Sequence, residues 1–207
     1  MKKFKYSEVT PENIYKKRRS FVKSLGFGLG SLSISSLSLI NNAFANTEEN
    51  KPTSFEDITT YNNYYEFGTG KSDPVERSQE FKTKPWDIVI DGEVENPITL
   101  SMEEITEMFP SEERIYKLRC VEGWSMVIPW QGFPLNKILK KVSPTSKAKF
   151  VKFISVLDPE QMIGQRFPIL DWPYKEGLRI DEAMHDLTIL VTGLYGKKLP
   201  NQNGSPL

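Results

Sequence analysis

From Pro85 onward, the sequence is a series of short runs in which apolar and polar residues alternate, each ended by a turn signal. In "WDIVIDGEV", Trp86, Ile88 and Ile90 alternate with Asp87 and its neighbours, which is the period of a half-buried strand. The runs "ERIYKLRCV", "AKFVKFISVL" and "LTILVTGLYG" are also predicted as strands, the last of them the final strand of the chain. The chain is therefore expected to fold around sheets joined by turns.

Short helices are predicted between these strands. Ser101 precedes Glu104 by three residues, which is the spacing of a capping box, and Pro110 ends the helix that it opens. The run "PLNKILKKV" places its apolar residues on one helical face, and "LRIDEAMH" predicts a short helical turn. With no internal repeats, the pattern indicates a mixed α+β domain dominated by sheet.

Three segments have neither period. Residues 46–57 are polar and expected to form a flexible N-terminal stretch. "TTYNNYYEFGTGKSDPVERSQEF" is predicted to be an ordered loop, which either packs its aromatic rings under a long connection or serves a function. "YGKKLPNQNGSPL" has loop chemistry throughout, and the sequence stops where a further strand is expected.

The N-terminus has the order of a secretory signal. A basic block ending in Arg18 and Arg19 precedes a mildly apolar run over residues 25–40, which ends at Ala43-Phe44-Ala45. A membrane helix is the alternative, but it needs roughly 20 strongly apolar residues. We expect residues 1–45 to be a cleaved signal.

The same leader has the features of a twin-arginine signal. Phe21 and Lys23 follow the paired arginines in the register of that signal. An ordinary basic leader with two adjacent arginines is the alternative. Twin-arginine transport carries folded proteins, so it suits an exported protein that acquires a large cofactor in the cytoplasm.

Cleavage would change the charge. The leader carries eight basic and two acidic residues, so its removal turns 27 of each into 19 basic and 25 acidic, a net charge of −6. A chain with this charge is not expected to bind nucleic acid or anionic lipid through bulk electrostatics.

Cys120 is the single cysteine of the sequence, so no internal disulfide can form. In an exported protein such a thiol is a buried small hydrophobe, one half of an intermolecular bridge, or a reactive or metal-binding group. Arg114 and Arg119 precede it and would favour its thiolate, although two arginines on a surface strand would have the same spacing.

Five blocks of sequence resemble a known family when they are taken in order. They are "YNNYYEFG", "RIYKLRCVEGWSMVIPWQGFPL", "PEQM", "EGLRIDEAMH" and "YGKKLPNQNGSPL". Together with the leader, they are similar to the catalytic subunit of periplasmic protein-methionine-sulfoxide reductases, molybdenum enzymes exported by the twin-arginine route. The resemblance implies a sheet-rich, sulfite-oxidase-type molybdopterin-binding domain over residues 85–207. Residues 46–84 would form an N-terminal extension and an aromatic loop that clamps the cofactor.

The resemblance also implies a cofactor site. Cys120 would ligate the molybdenum of a molybdopterin cofactor, since a thiolate is a soft ligand suited to a redox-active metal. Further contacts to the cofactor would come from Asn62, Tyr65, Glu66, Ser155 and Asn203. Ser155 stands where the family more usually has Thr, which keeps the hydroxyl. Without the resemblance, Asn203 would be a plain Asn-Gly turn.

Other residues near these positions have less specific roles. Glu122 is a plausible proton carrier, or it simply pairs with an arginine. Asn63 and Tyr64 are expected at least to pack. His185 lacks metal-site spacing and is expected to be structural.

The implied activity is reduction of methionine sulfoxide in periplasmic proteins, with electrons from a membrane-embedded haem subunit. Sulfite oxidation on the same fold is the nearest rival, but sulfite needs clustered cations, and after Cys120 the sequence offers Glu122 and Trp124 with no cation. A cofactor-free exported binding domain is the rival from another class. Because the family continues past "NQNGSPL", the resemblance implies that a C-terminal part is missing and that these 207 residues alone are poorly active.

Overall fold

The computed structural model describes residues 51–207, and the predicted signal and residues 46–50 lie outside them. Within the described part are five α-helices and eight β-strands. The helices are α1 (Phe55–Thr60), α2 (Asp73–Arg77), α3 (Met102–Met108), α4 (Leu135–Val142) and α5 (Ile180–Ala183). The strands are β1 (Asp87–Ile90), β2 (Ile98–Ser101), β3 (Glu112–Arg119), β4 (Ser125–Pro134), β5 (Phe150–Ile154), β6 (Lys175–Arg179), β7 (Ile189–Leu194) and β8 (Lys197–Lys198). None of the described helices is long and apolar enough to cross a bilayer.

The strands form three antiparallel sheets. β1 pairs with β2, β5 pairs with β6, and the central sheet has the order β3-β4-β7-β8. Two further turns of 3₁₀ helix lie at Ile163–Arg166 and Asn201–Asn203. The prediction of a mixed α+β domain dominated by sheet is confirmed for the described residues.

The predicted capping box is confirmed. Ser101 Oγ accepts the Glu104 N–H at 3.2 Å, and Glu104 Oε2 accepts the Ser101 N–H at 2.8 Å, which satisfies donors at the start of α3. The amphipathic helix α4 is also confirmed, because Leu135, Ile138 and Leu139 are buried.

β4 is the longest of the strands that sequence reasoning missed, which also include β2, β6 and β8. It lies between β3 and β7 in the central sheet, although it contains Pro129 and Pro134, which normally argue against a central strand. Both prolines lie where the ladder tolerates them. Pro129 comes one residue before the first β4–β7 pair, and its carbonyl accepts the Tyr195 N–H at 2.8 Å. Pro134 is the last residue of the strand.

Three predictions near the ends of the chain were wrong. The stretch expected to be flexible already contains the start of α1, because Ser54 Oγ caps the helix by accepting the Asp57 N–H at 3.0 Å. The segment predicted to be an ordered loop contains α2. The final strand is β8 rather than β7, since Lys197 pairs with Leu194 across a tight turn.

Three hydrophobic clusters hold these elements. One, under the central sheet, contains Phe133 stacked on Phe109 at 5.0 Å, together with the apolar face of α4. A second joins Ile58 of α1 to the other part of the central sheet. The third packs Phe67 against Phe81 and Met162, so the aromatic loop is held by its own buried ring.

Candidate active site

Cys120 lies in the turn that joins β3 to β4. Its N–H donates to the Trp124 carbonyl at 2.8 Å, and its carbonyl accepts the Gly123 N–H at 3.0 Å. Gly123 has a φ of +82°, a conformation that favours glycine. The thiol is free and half-buried, while Val121 beside it is 98% exposed. The turn therefore presents the sulfur at one end of the central sheet rather than in the core.

The aromatic loop packs against this turn. The rings of Tyr61 and Trp124 lie 5.3 Å apart, and Lys71 Nζ lies 3.3 Å from Glu122 Oε2. These two contacts bring residues 61–71 and 120–124 together, although β1, β2 and β3 separate them in the chain. We call this surface the loop–turn contact.

Lys71 is the residue that sequence reasoning missed. Its ammonium donates to Asn63 Oδ1 and lies 5.4 Å from the ring centre of Tyr65 and 5.9 Å from that of Trp124. The expected rim without a cation is therefore wrong, since a lysine reaches Glu122 from the loop. The suggested arginine partner of Glu122 is wrong for the same reason. A lone lysine gave no local signal, because its partner lies on a different segment.

A set of hydrogen bonds connects the loop and the end of α1 to the C-terminal turn of the described chain. The side-chain amides of Asn62 and Asn203 each donate to the Ile58 carbonyl at 3.0 Å. Gln202 donates in the same way to the Thr59 carbonyl at 3.0 Å. These bonds satisfy carbonyl groups in the last turn of α1, which have no partner within the helix.

The free hydrogen-bond acceptors at this contact fit a cofactor that is rich in N–H groups. Within residues 51–207, four buried side-chain atoms lack a hydrogen-bond partner, and Asn62 Oδ1 and Asn203 Oδ1 are two of them. A buried acceptor without a partner costs free energy, so such a pair is typical of a surface that completes its bonding with a ligand. The pterin ring of molybdopterin offers the N–H donors that these oxygens lack.

Glu66 is a residue of the aromatic loop and is 5% exposed. Desolvation by burial raises the pKa of its carboxyl above 4.5, against the opposing effect of a backbone hydrogen bond. Its carbonyl accepts the Gly164 N–H at 2.8 Å. A Cβ on Gly164 would lie 1.9 Å from the Tyr65 carbonyl oxygen, so glycine is required for this close approach.

The neighbouring residues of the loop pack as expected. The Tyr64 ring meets Phe67 edge-on at 5.1 Å. Burial raises the pKa of the Tyr64 phenol above its ordinary value, with a smaller contribution from the Glu66 carboxylate. Tyr64 thus remains a neutral phenol throughout the neutral pH range.

Ser155 is connected to this region through its backbone. It is exposed and follows β5 directly, and its N–H donates to the Tyr174 carbonyl at 3.0 Å. The next residue, Val156, packs against the cluster around Phe67. The contact of Ser155 with a cofactor remains a prediction.

The arginines differ in their relation to Cys120. Arg114 donates to Glu112 at 2.5 Å, to the Tyr116 hydroxyl at 3.0 Å and to the Asp186 carbonyl. It lies six residues before Cys120 on an extended strand, about 20 Å away at the usual rise. Arg114 is therefore held by other partners at a distance from the cysteine. Arg119 adjoins the cysteine at an exposed position.

His185 and the other possible metal ligands do not form a protein metal site. His185 Nδ1 accepts the Leu187 N–H at 3.1 Å, which fits the predicted structural role. In the described chain, no three His, Cys, Asp or Glu side chains are grouped as a metal site. The region offers one thiol, so it suits a metal that brings its remaining ligands with a cofactor.

Comparison with known families gives a match to most of the chain. The family described as "Oxidoreductase molybdopterin binding domain" matches residues 74–207. Two proteins described as the protein-methionine-sulfoxide reductase catalytic subunit MsrP are similar over 97% of this chain and 66% of their own length. The one from Burkholderia mallei is 46% identical, and the one from Xanthomonas axonopodis pv. citri is 49% identical.

The chain therefore spans just under two thirds of the length of these relatives. A third relative of the same description, from Xanthomonas campestris pv. campestris, is 58% identical over 75% of this chain and 48% of its own length. Among solved structures, the sulfane dehydrogenase SoxCD from Paracoccus pantotrophus matches 67% of this chain and 35% of its own, with 16% identity and a TM-score of 0.49.

Proposed function

Because this chain belongs to the family of oxidoreductase molybdopterin-binding domains, we propose that it holds the molybdenum cofactor of an enzyme that reduces methionine sulfoxide in exported proteins. The relatives are described as protein-methionine-sulfoxide reductase catalytic subunits and match 97% of the chain. The single structural observation that supports the proposal most is the pair of buried, unpartnered amide oxygens on Asn62 and Asn203. Asn62 directly follows Tyr61, whose ring lies 5.3 Å from that of Trp124 in the Cys120 turn.

Each proposed ligand contributes a different chemistry. The Cys120 thiolate would bind the metal, since this thiol is free and half-buried at the loop–turn contact. Asn62 and Asn203 would accept hydrogen bonds from the pterin, and Tyr65 and Glu66 would line the clamp. When bound, the cofactor supplies the two-electron redox chemistry that sulfoxide reduction requires.

The protein residues supply proton handling and shape. Conversion of a sulfoxide to a thioether and water consumes two protons and two electrons. Glu122 is two residues beyond Cys120, and the Lys71 ammonium holds its carboxylate at 3.3 Å. From this position Glu122 would relay protons taken from solvent to a substrate at the Cys120 turn and return to the carboxylate after each transfer. The Tyr61 and Trp124 rings lie 5.3 Å apart at the loop–turn contact and would give a substrate apolar surface to contact.

The substrate is proposed to be a neutral sulfoxide rather than sulfite. Methionine sulfoxide is uncharged and partly apolar. The cation at the loop–turn contact is paired with a carboxylate and faces two aromatic rings, so it is not free to bind a dianion. The exposed position of Val121 leaves the turn accessible to a side chain on another protein.

The location and the electron donor form part of the same proposal. The basic leader with Arg18 and Arg19 supports export to the periplasm by the twin-arginine route. The description "catalytic subunit" in the relatives supports a partner subunit. A membrane-embedded haem protein is the proposed donor of electrons.

The decisive experiment is the metal content of the protein, measured by mass spectrometry. The protein is expressed from its full gene with the leader and purified from the periplasm. We expect stoichiometric molybdenum in the parent, almost none in Cys120→Ala, and an unchanged content in Val121→Ala, which alters the same turn. Circular dichroism checks that all three are folded.

A folded parent without molybdenum, from cells with ample molybdate and active cofactor synthesis, would contradict the proposal. It would favour the cofactor-free binding domain. Molybdenum with sulfite oxidation and no sulfoxide reduction would instead favour the sulfite-oxidising rival.

A further inference from the structure

The loop–turn contact contains one cation whose structural use is clear. The Lys71 ammonium donates to Asn63 Oδ1 and faces the rings of Tyr65 and Trp124. Cation–π contacts of this kind attract the two aromatic side chains to the same charge. Lys71 therefore connects the aromatic loop to the Cys120 turn, and a neutral side chain at this position would lose these contacts.

The Lys71 ammonium also places a positive charge at the loop–turn contact. The Lys71 side chain is 22% exposed, so part of its charge faces solvent near the site. An uncompensated cation there would concentrate small oxoanions, because oppositely charged groups attract over several ångströms even in water. Sulfate and sulfite would then compete with a neutral substrate.

Glu122 forms an ion pair with Lys71 and so offsets this positive charge. Its Oε2 lies 3.3 Å from Lys71 Nζ, and its side chain is 30% exposed, so the carboxylate lies on the same partly open side as the ammonium. The pair has no net charge. Lys71 Nζ lies 5.9 Å from the ring centre of Trp124, so the charge that Glu122 cancels lies beside that ring.

We propose that Glu122 is a specificity-determining residue: it neutralises the Lys71 ammonium, so that the site admits a neutral sulfoxide and disfavours small oxoanions. This inference rests on the proposed function for the identity of the substrate. The neutralisation itself is a property of the described chain and can be tested without a cofactor.

The test uses iodide, an anionic quencher, and acrylamide, a neutral one, on the fluorescence of Trp124. The chain has four tryptophans, so each protein is measured beside its Trp124→Phe counterpart and the difference isolates Trp124. In Glu122→Gln, we expect the iodide quenching constant of Trp124 to rise about twofold at 0.1 M ionic strength, with the acrylamide constant unchanged. Adding Lys71→Met to that variant should return the iodide constant to the parent value.

Two outcomes would overturn the proposal. One is an iodide constant that does not change in Glu122→Gln or stays raised after Lys71→Met. The other is an equal rise with acrylamide, which would mean that the loop has separated from the turn rather than that a charge has been exposed.

The second measurement uses the cofactor-loaded full-length protein and sulfate as a redox-inert competitor of sulfoxide reduction. The inhibition constant for sulfate should fall in Glu122→Gln and recover when Lys71→Met is added, whatever the effect on turnover. An unchanged constant would contradict the specificity role. Failure of the molybdenum test alone would leave the quenching result intact, so the two proposals fail separately.

Discussion

Asn62 and Asn203 donate their side-chain amides to the same acceptor, the carbonyl oxygen of Ile58, each over 3.0 Å. One comes from the aromatic loop and the other from the last turn of the described chain. Both side chains keep a buried oxygen without a partner. The arrangement uses the nitrogen of each amide to hold the fold and leaves the oxygen without a protein partner.

Replacing Asn203 separates these two uses. In the cofactor-free chain, Asn203→Ala should change the free energy of unfolding by less than about 1 kcal/mol, because the lost hydrogen bond is offset by removal of a buried, unpartnered oxygen. In the loaded protein, the same change should lower the molybdenum content after dialysis. Urea denaturation and mass spectrometry measure the two effects.

Asn201→Ala is the matched control for this experiment. Asn201 donates to the Ser78 and Phe81 carbonyls at 2.7 and 3.1 Å. Its loss should cost about 1–3 kcal/mol of stability, since two bonds are removed. A larger loss of molybdenum in Asn201→Ala than in Asn203→Ala would argue against the cofactor contact.

The pH dependence of stability should reveal Glu66. Burial raises the pKa of its carboxyl above 4.5 in the folded chain, so the folded state binds the proton more tightly than the unfolded state does. Stability is therefore favoured at low pH and falls as the pH rises from about 4.5 through the folded pKa. Glu66→Gln removes this dependence.

The comparison is the urea midpoint of the cofactor-free parent and of Glu66→Gln at pH 4 and pH 7. The advantage of the variant over the parent should be larger at pH 7. Glu107→Gln, at an exposed position of α3, is the control and should show no such growth. A difference that shrinks with rising pH would contradict the assignment.

The close approach at Gly164 predicts a steric effect. A Cβ there would lie 1.9 Å from the Tyr65 carbonyl oxygen and 2.8 Å from that of Glu66, both of which are backbone atoms. Gly164→Ala should cost about 1–3 kcal/mol, which is typical of overpacking, and should move the loop. Thermal unfolding measures the cost, and Trp124 fluorescence reports the loop.

Gly177→Ala provides the comparison. A Cβ on Gly177 would meet a single backbone oxygen at 3.8 Å, which is an ordinary contact. The two variants should therefore differ clearly in melting temperature. Equal melting temperatures would show that the loop adapts without cost.

The capping box of α3 predicts a loss of stability without a loss of function. Ser101→Ala removes the hydroxyl that accepts the Glu104 N–H and should cost about 1 kcal/mol. The helix packs in a different hydrophobic cluster from the aromatic loop. Molybdenum content and sulfoxide reduction should stay at the parent level below the melting temperature, and a selective loss of either would contradict this separation.

Local rules predicted much of the fold. The capping box at Ser101 and the alternating strands depend on residues a few positions apart, so their physics is visible in the sequence. β4 was missed because Pro129 is unfavourable in most central strands. Only the register shows that Pro129 pairs with β3 and comes just before the first β4–β7 pair. α1 was missed because its apolar side chains pack against a sheet whose residues come much later in the chain.

The candidate site divides in the same way. The role of Cys120 was predicted from the family resemblance that its flanking segment carries, and it stays a prediction. The Lys71–Glu122 pair could not be predicted, since it joins two segments that only the folded sheet brings together. The unpartnered oxygens of Asn62 and Asn203 likewise depend on burial, which no local pattern of amides reveals.

The C-terminal turn also sets the order in which the site is made. Gln202 and Asn203 bond to residues 143 and 145 positions earlier in the chain. A nascent chain emerges from its N-terminus, so α1 and the aromatic loop leave the ribosome long before the residues that bond to the end of α1. Throughout that interval Asn62 lacks its counterpart. A cofactor that needs both amides can be captured only after translation has passed Asn203, by a chain that has already closed on itself.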